Sequence, residues 1–369
     1  MKKKFSSWLS SEEKPTQAPA AVKKEVFDAY AADLPVAYKA PPPKPAALTF
    51  WGEGGAIWTG GDPVSRDFNL FTIGSLGSLL GIGGVPAHFQ QDPKIGWEAA
   101  AGFDYKFANS PWHVSGQFRY GQGGDVNNAA AVAGVFPFAI PARFGITSIT
   151  SNEAVTDKYR ETHWIADGAV GYEIASSGRS YLQLKGGLRV GEMTTKDNST
   201  DAFGIAINFR NPLPAPLSGN QIAINTFDNN ENRANFLGAG PLVGMQGSVR
   251  FMQRWSFDYA GDMAILFGSA HNQNVDIFTT SAVPAFLNAF FSGGTANTNT
   301  ADRFAYVLSA DLQAGIGYWF TENWKLAGSW RIDSMINVQN TRNANNNPIT
   351  PSRYWQGPRV TLTGLFAAE

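Results

Sequence analysis

The chain contains no cysteine. That excludes disulfides, thiolate metal sites and cysteine nucleophiles. It has only four histidines in 369 residues, charged residues make up 16 %, and the net charge is -1. So balanced a charge gives no footprint for nucleic acid. No run of about 18 apolar residues occurs, so there is no transmembrane helix. There is no Gly-x-Ser-x-Gly elbow, and no P-loop or dinucleotide fingerprint in a strand-to-helix setting. Of the four histidines, His88 and His271 fall in connecting segments, while His113 and His163 fall at opposite ends of their strands. A paired-histidine metal site is therefore not expected, and no cofactor or metal is implied.

What is plentiful is glycine (39 residues) and aromatic side chains (13 %). Mean hydropathy is -0.19, the middling value that results when apolar and polar residues alternate. Three short turns are bracketed by aromatics. Phe107 and Trp112 flank Ala-Asn-Ser-Pro, Phe251 and Trp255 flank Met-Gln-Arg, and Phe320 and Trp324 flank Thr-Glu-Asn. On either side, every second residue is apolar. In 97–107, Trp97, Phe103, Tyr105 and Phe107 share a face opposite Glu98, Asp104 and Lys106. In 112–120, Trp112, Val114, Phe118 and Tyr120 oppose His113, Gln117 and Arg119.

The same period of two recurs in 163–174, 181–191, 235–251, 255–267, 304–320, 324–334 and 353–366, and more weakly in 48–58. That makes ten strands, most of them long enough to cross a bilayer when tilted. Short connections (108–111, 175–180, 252–254, 321–323) alternate with long ones (59–96, 121–162, 192–233, 268–303, 335–352). Two further alternating pieces, Phe203–Phe209 and Ile222–Ile224, read as a hairpin rising above the membrane; if they inserted, the count would be twelve. The expected fold is all-β, an antiparallel up-and-down transmembrane β-barrel spanning 48–369, with both termini periplasmic. A soluble sandwich would carry Val, Ile and Leu on its apolar face. Here Trp and Tyr recur near strand ends, where a membrane interface needs them. The interface set is Phe107, Trp112, Trp164, Phe251, Trp255, Phe320, Trp324 and Trp330.

Before the barrel, Met1-Lys2-Lys3-Lys4 resembles the start of an export signal, but Phe5–Lys14 is polar. Ala29-Tyr30-Ala31 fits a small-x-small cleavage site. Residues 1–31 read as a tail or a divergent export signal, and 32–47, with Pro41, Pro42, Pro43 and Pro45, as a stiff periplasmic linker.

A charge facing lipid at midplane costs about 2–4 kcal/mol, so strand parity assigns charges to the lumen. The lumen-lining set is Glu98, Asp104, Lys106, Arg119, Asp167, Glu173, Lys185, Arg189, Arg250, Asp258, Asp262, Asp311, Lys325, Arg331, Asp333 and Arg359, with Glu53 on the weak first strand. The acidic strand 163–174 adjoins the basic strand 181–191, which predicts pairing between neighbours. A ten-stranded barrel has a backbone radius on the order of 10 Å, so any channel is narrow.

Several segments look familiar. Tyr181-Leu-Gln-Leu-Lys-Gly-Gly-Leu-Arg189, Phe236-Leu-Gly-Ala-Gly-Pro-Leu-Val-Gly244 and Trp255-Ser-Phe-Asp-Tyr-Ala-Gly-Asp262 resemble the Legionella-type major outer-membrane protein family. Ala32-Asp33-Leu34-Pro35 through Lys39-Ala40-Pro41-Pro42 resembles the start of mature alphaproteobacterial outer-membrane proteins. The resemblance implies a pore-forming barrel in a Gram-negative outer membrane, with no catalytic residues to carry over. Two features depart from the pattern: the apolar part of the signal, and a chain end of Phe366-Ala367-Ala368-Glu369 where many such barrels end on an aromatic.

The expected function is a porin-like pore for passive diffusion of ions or small solutes. The expected partners are outer-membrane lipid and lipopolysaccharide, with a homo-oligomer as an option. A plugged, anchoring barrel is the alternative. An omptin-like protease is a third reading, resting on His163 with Glu161 and Asp302 at the outer rim; the expectation is no enzyme. Two apolar stretches, Phe68–Leu80 and Pro284–Phe291, could constrict the barrel, sit between subunits or pack on each other.

Overall fold

The computed structural model describes residues 46–62, 65–70, 85–91, 95–136, 145–177, 180–213, 219–281, 294–338, 341–342, 348–349 and 352–368. The expected tail and almost all of the linker lie outside them, as does Pro284–Phe291. Of the stretch Phe68–Leu80, only the backbone of the first three residues is described.

Fifteen strands are present among the described residues: β1 (Ala46–Gly61), β2 (Ser65–Leu70), β3 (Val85–Gln90), β4 (Ile95–Lys106), β5 (Trp112–Gln122), β6 (Val126–Phe136), β7 (Ile146–Ser177), β8 (Ser180–Leu213), β9 (Gly219–Arg250), β10 (Trp255–Thr280), β11 (Thr295–Trp319), β12 (Trp324–Ile336), β13 (Thr341–Arg342), β14 (Pro348–Ile349) and β15 (Arg353–Ala368). Each of the ten expected strands falls on one of these, with 97–107, 235–251 and 304–320 running one residue past the observed ends. They pair antiparallel in the order β5-β4-β1-β15-β12-β11-β10-β9-β8-β7, and β5 pairs back onto β7. The ring is closed, so it has no free edge at that level.

Stepping across the ladder gives the stagger. Lys106 faces His113, then come Gly171, Lys185, Gly244, Asp262, Asp311, Asp333, Trp355 and Thr59. Thr59 adjoins the Trp58–Ile95 pair on β4. The circuit therefore returns to β4 about twelve residues from Lys106, a shear that tilts the strands by roughly 40°.

All five long connections contain more strand than expected, and three of them are mostly strand. β7, β8 and β9 run 32, 34 and 32 residues, and β10 and β11 run 26 and 25. β6 continues the line of β5: both pair with β7, β5 against 162–172 and β6 against 149–159. A six-stranded wall thus extends past one side of the ring. The pieces read as a separate hairpin extend β8 and β9 within this wall, with Ile205 opposite Ile224 and Ile207 opposite Ile222. The ring itself holds ten strands.

The β2–β3 hairpin folds onto the inner face of the wall. Phe89 packs on Val155 beside Ala130 and Val132, and the Gln91 amide donates to Asp157 at 3.2 Å.

Two prolines interrupt the ladder. Between Gly55 and Trp58 the β1–β15 pairing lapses opposite Pro358, which has no N–H to give. The Arg359 guanidinium donates to the Ala56 carbonyl instead, at 2.7 Å. The β9–β10 pairing lapses likewise between Ala264 and Phe267, opposite Pro241.

Candidate functional site

Alternate residues along the ring strands are exposed and buried, as a closed barrel demands. The outward set is apolar, running from Phe50 and Phe103 through Leu188, Val243 and Ile265 to Leu312 and Val360. The inward set carries the charges, and it divides into layers.

The first layer lies near the short-turn end. Lys106 pairs with Glu173, His113 Nδ1 lies 2.7 Å from Asp104, and Lys325 Nζ lies 2.8 Å from Asp258. Arg250 is exposed at the rim, with its guanidinium 4.9 Å from the Trp319 ring.

The second layer is the densest. Arg189 makes a two-pronged contact with Asp167, both bonds at 2.7 Å, and reaches Asp311 at 2.7 Å. Arg119 crosses the ring to Asp333 and to Asp311, the latter at 3.1 Å. Lys185 holds Asp262 at 2.8 Å, and Arg331 holds Glu53 at 2.6 Å. Glu53 also accepts from Gln313 and Thr361. Arg359 meets Glu98 at 3.0 Å. Arg119, Arg189 and Arg359 are no more than 1 % exposed. The neighbour pairing expected between 163–174 and 181–191 is the Asp167–Arg189 contact. Arg119, by contrast, finds its carboxylates across the barrel, because a narrow lumen brings distant strands within an arginine's reach.

All sixteen expected lumen residues therefore sit on the inner face or its rim. What parity did not single out is a third layer. Ile57, Met193, Phe236, Leu266, Val307, Met335 and Trp355 are buried together inside the ring. Six strands place an apolar side chain four residues beyond a charged one: Glu53 and Ile57, Arg189 and Met193, Asp262 and Leu266, Asp311 and Val307, Arg331 and Met335, Arg359 and Trp355. Four residues in a strand rise about 13 Å along its axis. Between them stand Gly55, Gly191, Ala264, Ser309, Asp333 and Gly357, mostly small, which leaves the long side chains room to lie flat.

His163 belongs to this interior. Its Nε2 lies 2.9 Å from Glu98 and its ring stacks 4.1 Å from that of Trp355. It lies over Gly121, where a Cβ would come within 2.4 Å of the imidazole. Glu161 pairs with Arg353 at 2.5 Å. Asp302, on the outer face, pairs with His271 at 2.5 Å. The candidate protease trio is therefore not assembled. Among the described residues no group of three or more His, Cys, Asp or Glu is placed to hold a metal ion.

On the outer face, Phe107, Trp112, Phe251, Trp255, Phe320 and Trp324 are exposed at the short-turn end. At the other end, Trp330 stacks on Trp58 at 5.5 Å, and Trp164 stacks on Phe118 at 6.2 Å and donates to Glu192 at 2.6 Å.

No curated protein matches the chain by sequence. Among solved structures, the outer membrane protease OmpT from Escherichia coli is similar at 9 % identity and a TM-score of 0.38, covering 89 % of this chain and 99 % of its own. Ail, the attachment invasion locus protein of Yersinia pestis, is similar at 9 % identity and a TM-score of 0.19, covering 88 % and 99 %. The P. putida toluene transporter TodX is similar at 8 % identity and a TM-score of 0.22, covering 89 % and 92 %. The family model described as the Legionella pneumophila major outer membrane protein precursor matches residues 83–364, well over half of the chain, and the chain belongs to that outer-membrane β-barrel family.

Proposed function

We propose that the chain is an outer-membrane pore for small ions or solutes that rests closed. The observation that carries this reading is the interior. Charges of both signs line it layer after layer, and a polar lumen is what an aqueous path requires. Yet the ion pairs and the apolar layer fill it with side chains of the wall itself. An apolar constriction gates by excluding water, and wall side chains can part without any domain moving away. In this reading the sixteen charged residues line the path and the exposed aromatics mark the two membrane interfaces. The short turns and both termini face the periplasm, and the six-stranded wall stands outside the cell. No catalytic step is involved: His163 is enclosed between Glu98 and Trp355.

The test is the reversal potential in a salt gradient. Arg189→Gln and Arg331→Gln, each checked for folding by heat-modifiable gel migration, are expected to shift selectivity toward cations. Outward Leu188→Ala is expected to leave it unchanged. Equal shifts from inward and outward changes would refute the lumen assignment.

A second reading, a permanently closed barrel that anchors the outer wall, is favoured by the completeness of the apolar layer. A bilayer that stays silent with folded protein would select it.

A further inference from the structure

The outer face of the wall carries an arrangement that folding alone does not explain. Arg160 on β7 stands directly opposite Lys196 on β8, and Lys196 stands directly opposite Arg233 on β9. All three side chains point outward and are exposed. Directly opposed residues in a sheet have their Cβ atoms about 5 Å apart, and like charges so placed repel. Arg160 is relieved by Asp125, at 2.5 and 2.7 Å. Lys196 and Arg233 have no carboxylate within salt-bridge distance among the described residues. Glu192, four residues below Lys196, accepts instead from Trp164, Thr194 and Asn235. Glu231, two residues above Arg233, makes no ion pair among the described residues, and Lys158 adds a cation in the next row.

The height of this row points to what would fill it. Four residues below it along the same strands lie Trp164, Glu192 and Leu237, and then the apolar outer face with Val190 and Phe267. At roughly 40° of tilt, four residues lift the row about 10 Å above the aromatic level, which long basic side chains span by snorkelling. The occupant that suits cations above and apolar surface below is an amphiphile with an anionic head.

We propose that Lys196 and Arg233, flanked by Arg160, bind the phosphate groups of an outer-leaflet lipid whose acyl chains lie against the apolar face below. Phosphate suits the row because a guanidinium and an ammonium side by side can share its oxygens. The proposal rests on the membrane placement given above, and it stands or falls independently of conductance.

The experiment is native mass spectrometry of the folded full chain in detergent. The probes are phosphorylated lipid A, dephosphorylated lipid A and inorganic phosphate. The wild type is expected to retain phosphorylated lipid A roughly tenfold better than the dephosphorylated form. Lys196→Ala with Arg233→Ala is expected to abolish that preference. Arg250→Ala with Arg254→Ala removes the same charge at the short-turn end and is expected to preserve it. Heat-modifiable migration checks that each variant is folded. If the Lys196 and Arg233 double variant does not fold, the wild-type preference under competition by inorganic phosphate decides the matter. Equal retention of both lipids, or a preference surviving the double substitution, would overturn the site. Displacement of the lipid by micromolar inorganic phosphate would assign the site to a soluble anion and overturn the lipid assignment.

Discussion

Arg119, Arg189 and Arg359 lie inside a membrane barrel, and each is tolerated only because carboxylates from other strands meet it. Removing one partner of such a pair leaves the other charge buried alone, which costs about 3–5 kcal/mol. Arg119→Met would leave Asp333 with only Arg331, 3.9 Å away, and Asp311 with Arg189 alone, and is expected to lower the unfolding temperature on a heat-modifiability gel markedly more than Arg250→Met, whose guanidinium is exposed at the rim. Equal stability of the two variants would show that the central layer is not the keystone of the interior. The outward face makes the opposite demand. Leu188 is 67 % exposed, and Leu188→Arg is expected to cost about 2–4 kcal/mol in a bilayer while leaving conductance untouched; no loss in a lipid-bilayer folding titration would mean that this face does not meet lipid. Outside the membrane, the hydrogen bond from Arg160 holds the Asp125 carboxyl below its usual range. The contribution of that bond is complete above the ordinary carboxylate value and fades as pH falls through the lowered one. Protection from hydrogen exchange at residues 123–125, taken relative to the intrinsic rate at each pH, is expected to fall below about pH 4 and to stay level with pH in Asp125→Asn.

At the scale of the strand, the ring was legible because lipid enforces contrast. An outward residue such as Leu188 and an inward one such as Arg189 cannot exchange places, so parity reads directly from the sequence. The wall above the ring lacks that contrast. Stretches such as Thr195–Asp201 and Asn229–Arg233 face water on at least one side and alternate polar with polar, which a loop does equally well. β6, with four alanines among its eleven residues, gives no alternation to read. The charged lumen residues were legible for the same reason as the ring. The apolar layer was not, because Ile57, Leu266 and Val307 look like stray hydrophobics on polar faces. The signal that finds them is a spacing of four, as in Arg189-x-Gly-x-Met193 and Asp262-x-Ala-x-Leu266. The cross-ring partners of Arg119 had no local signal, since shear and radius decide them. If the wall is an extension and not part of the ring, deleting 199–230 and joining Asn198 to Glu231 through Asn-Gly is expected to leave a barrel with heat-modifiable migration. Loss of that migration would make the wall part of the folding unit.

For the whole molecule, the layers turn one question into a physical one. A ten-stranded ring of about 10 Å backbone radius has space for water or for its own side chains, not for both. Here the side chains occupy it, and the apolar layer is the part through which a hydrated ion cannot pass while it stays dry. In the proposed pore, the ion pairs beneath it set which ions pass once it opens. The most direct test is the single-channel current of the wild type beside a Leu266→Ser and Val307→Ser double variant in a planar bilayer. A pore that rests closed at this layer should give a wild type that stays near baseline with brief small openings, and a variant that holds open for long intervals at the same ion selectivity. Long, full-sized openings in the wild type that the double substitution leaves unchanged would contradict it.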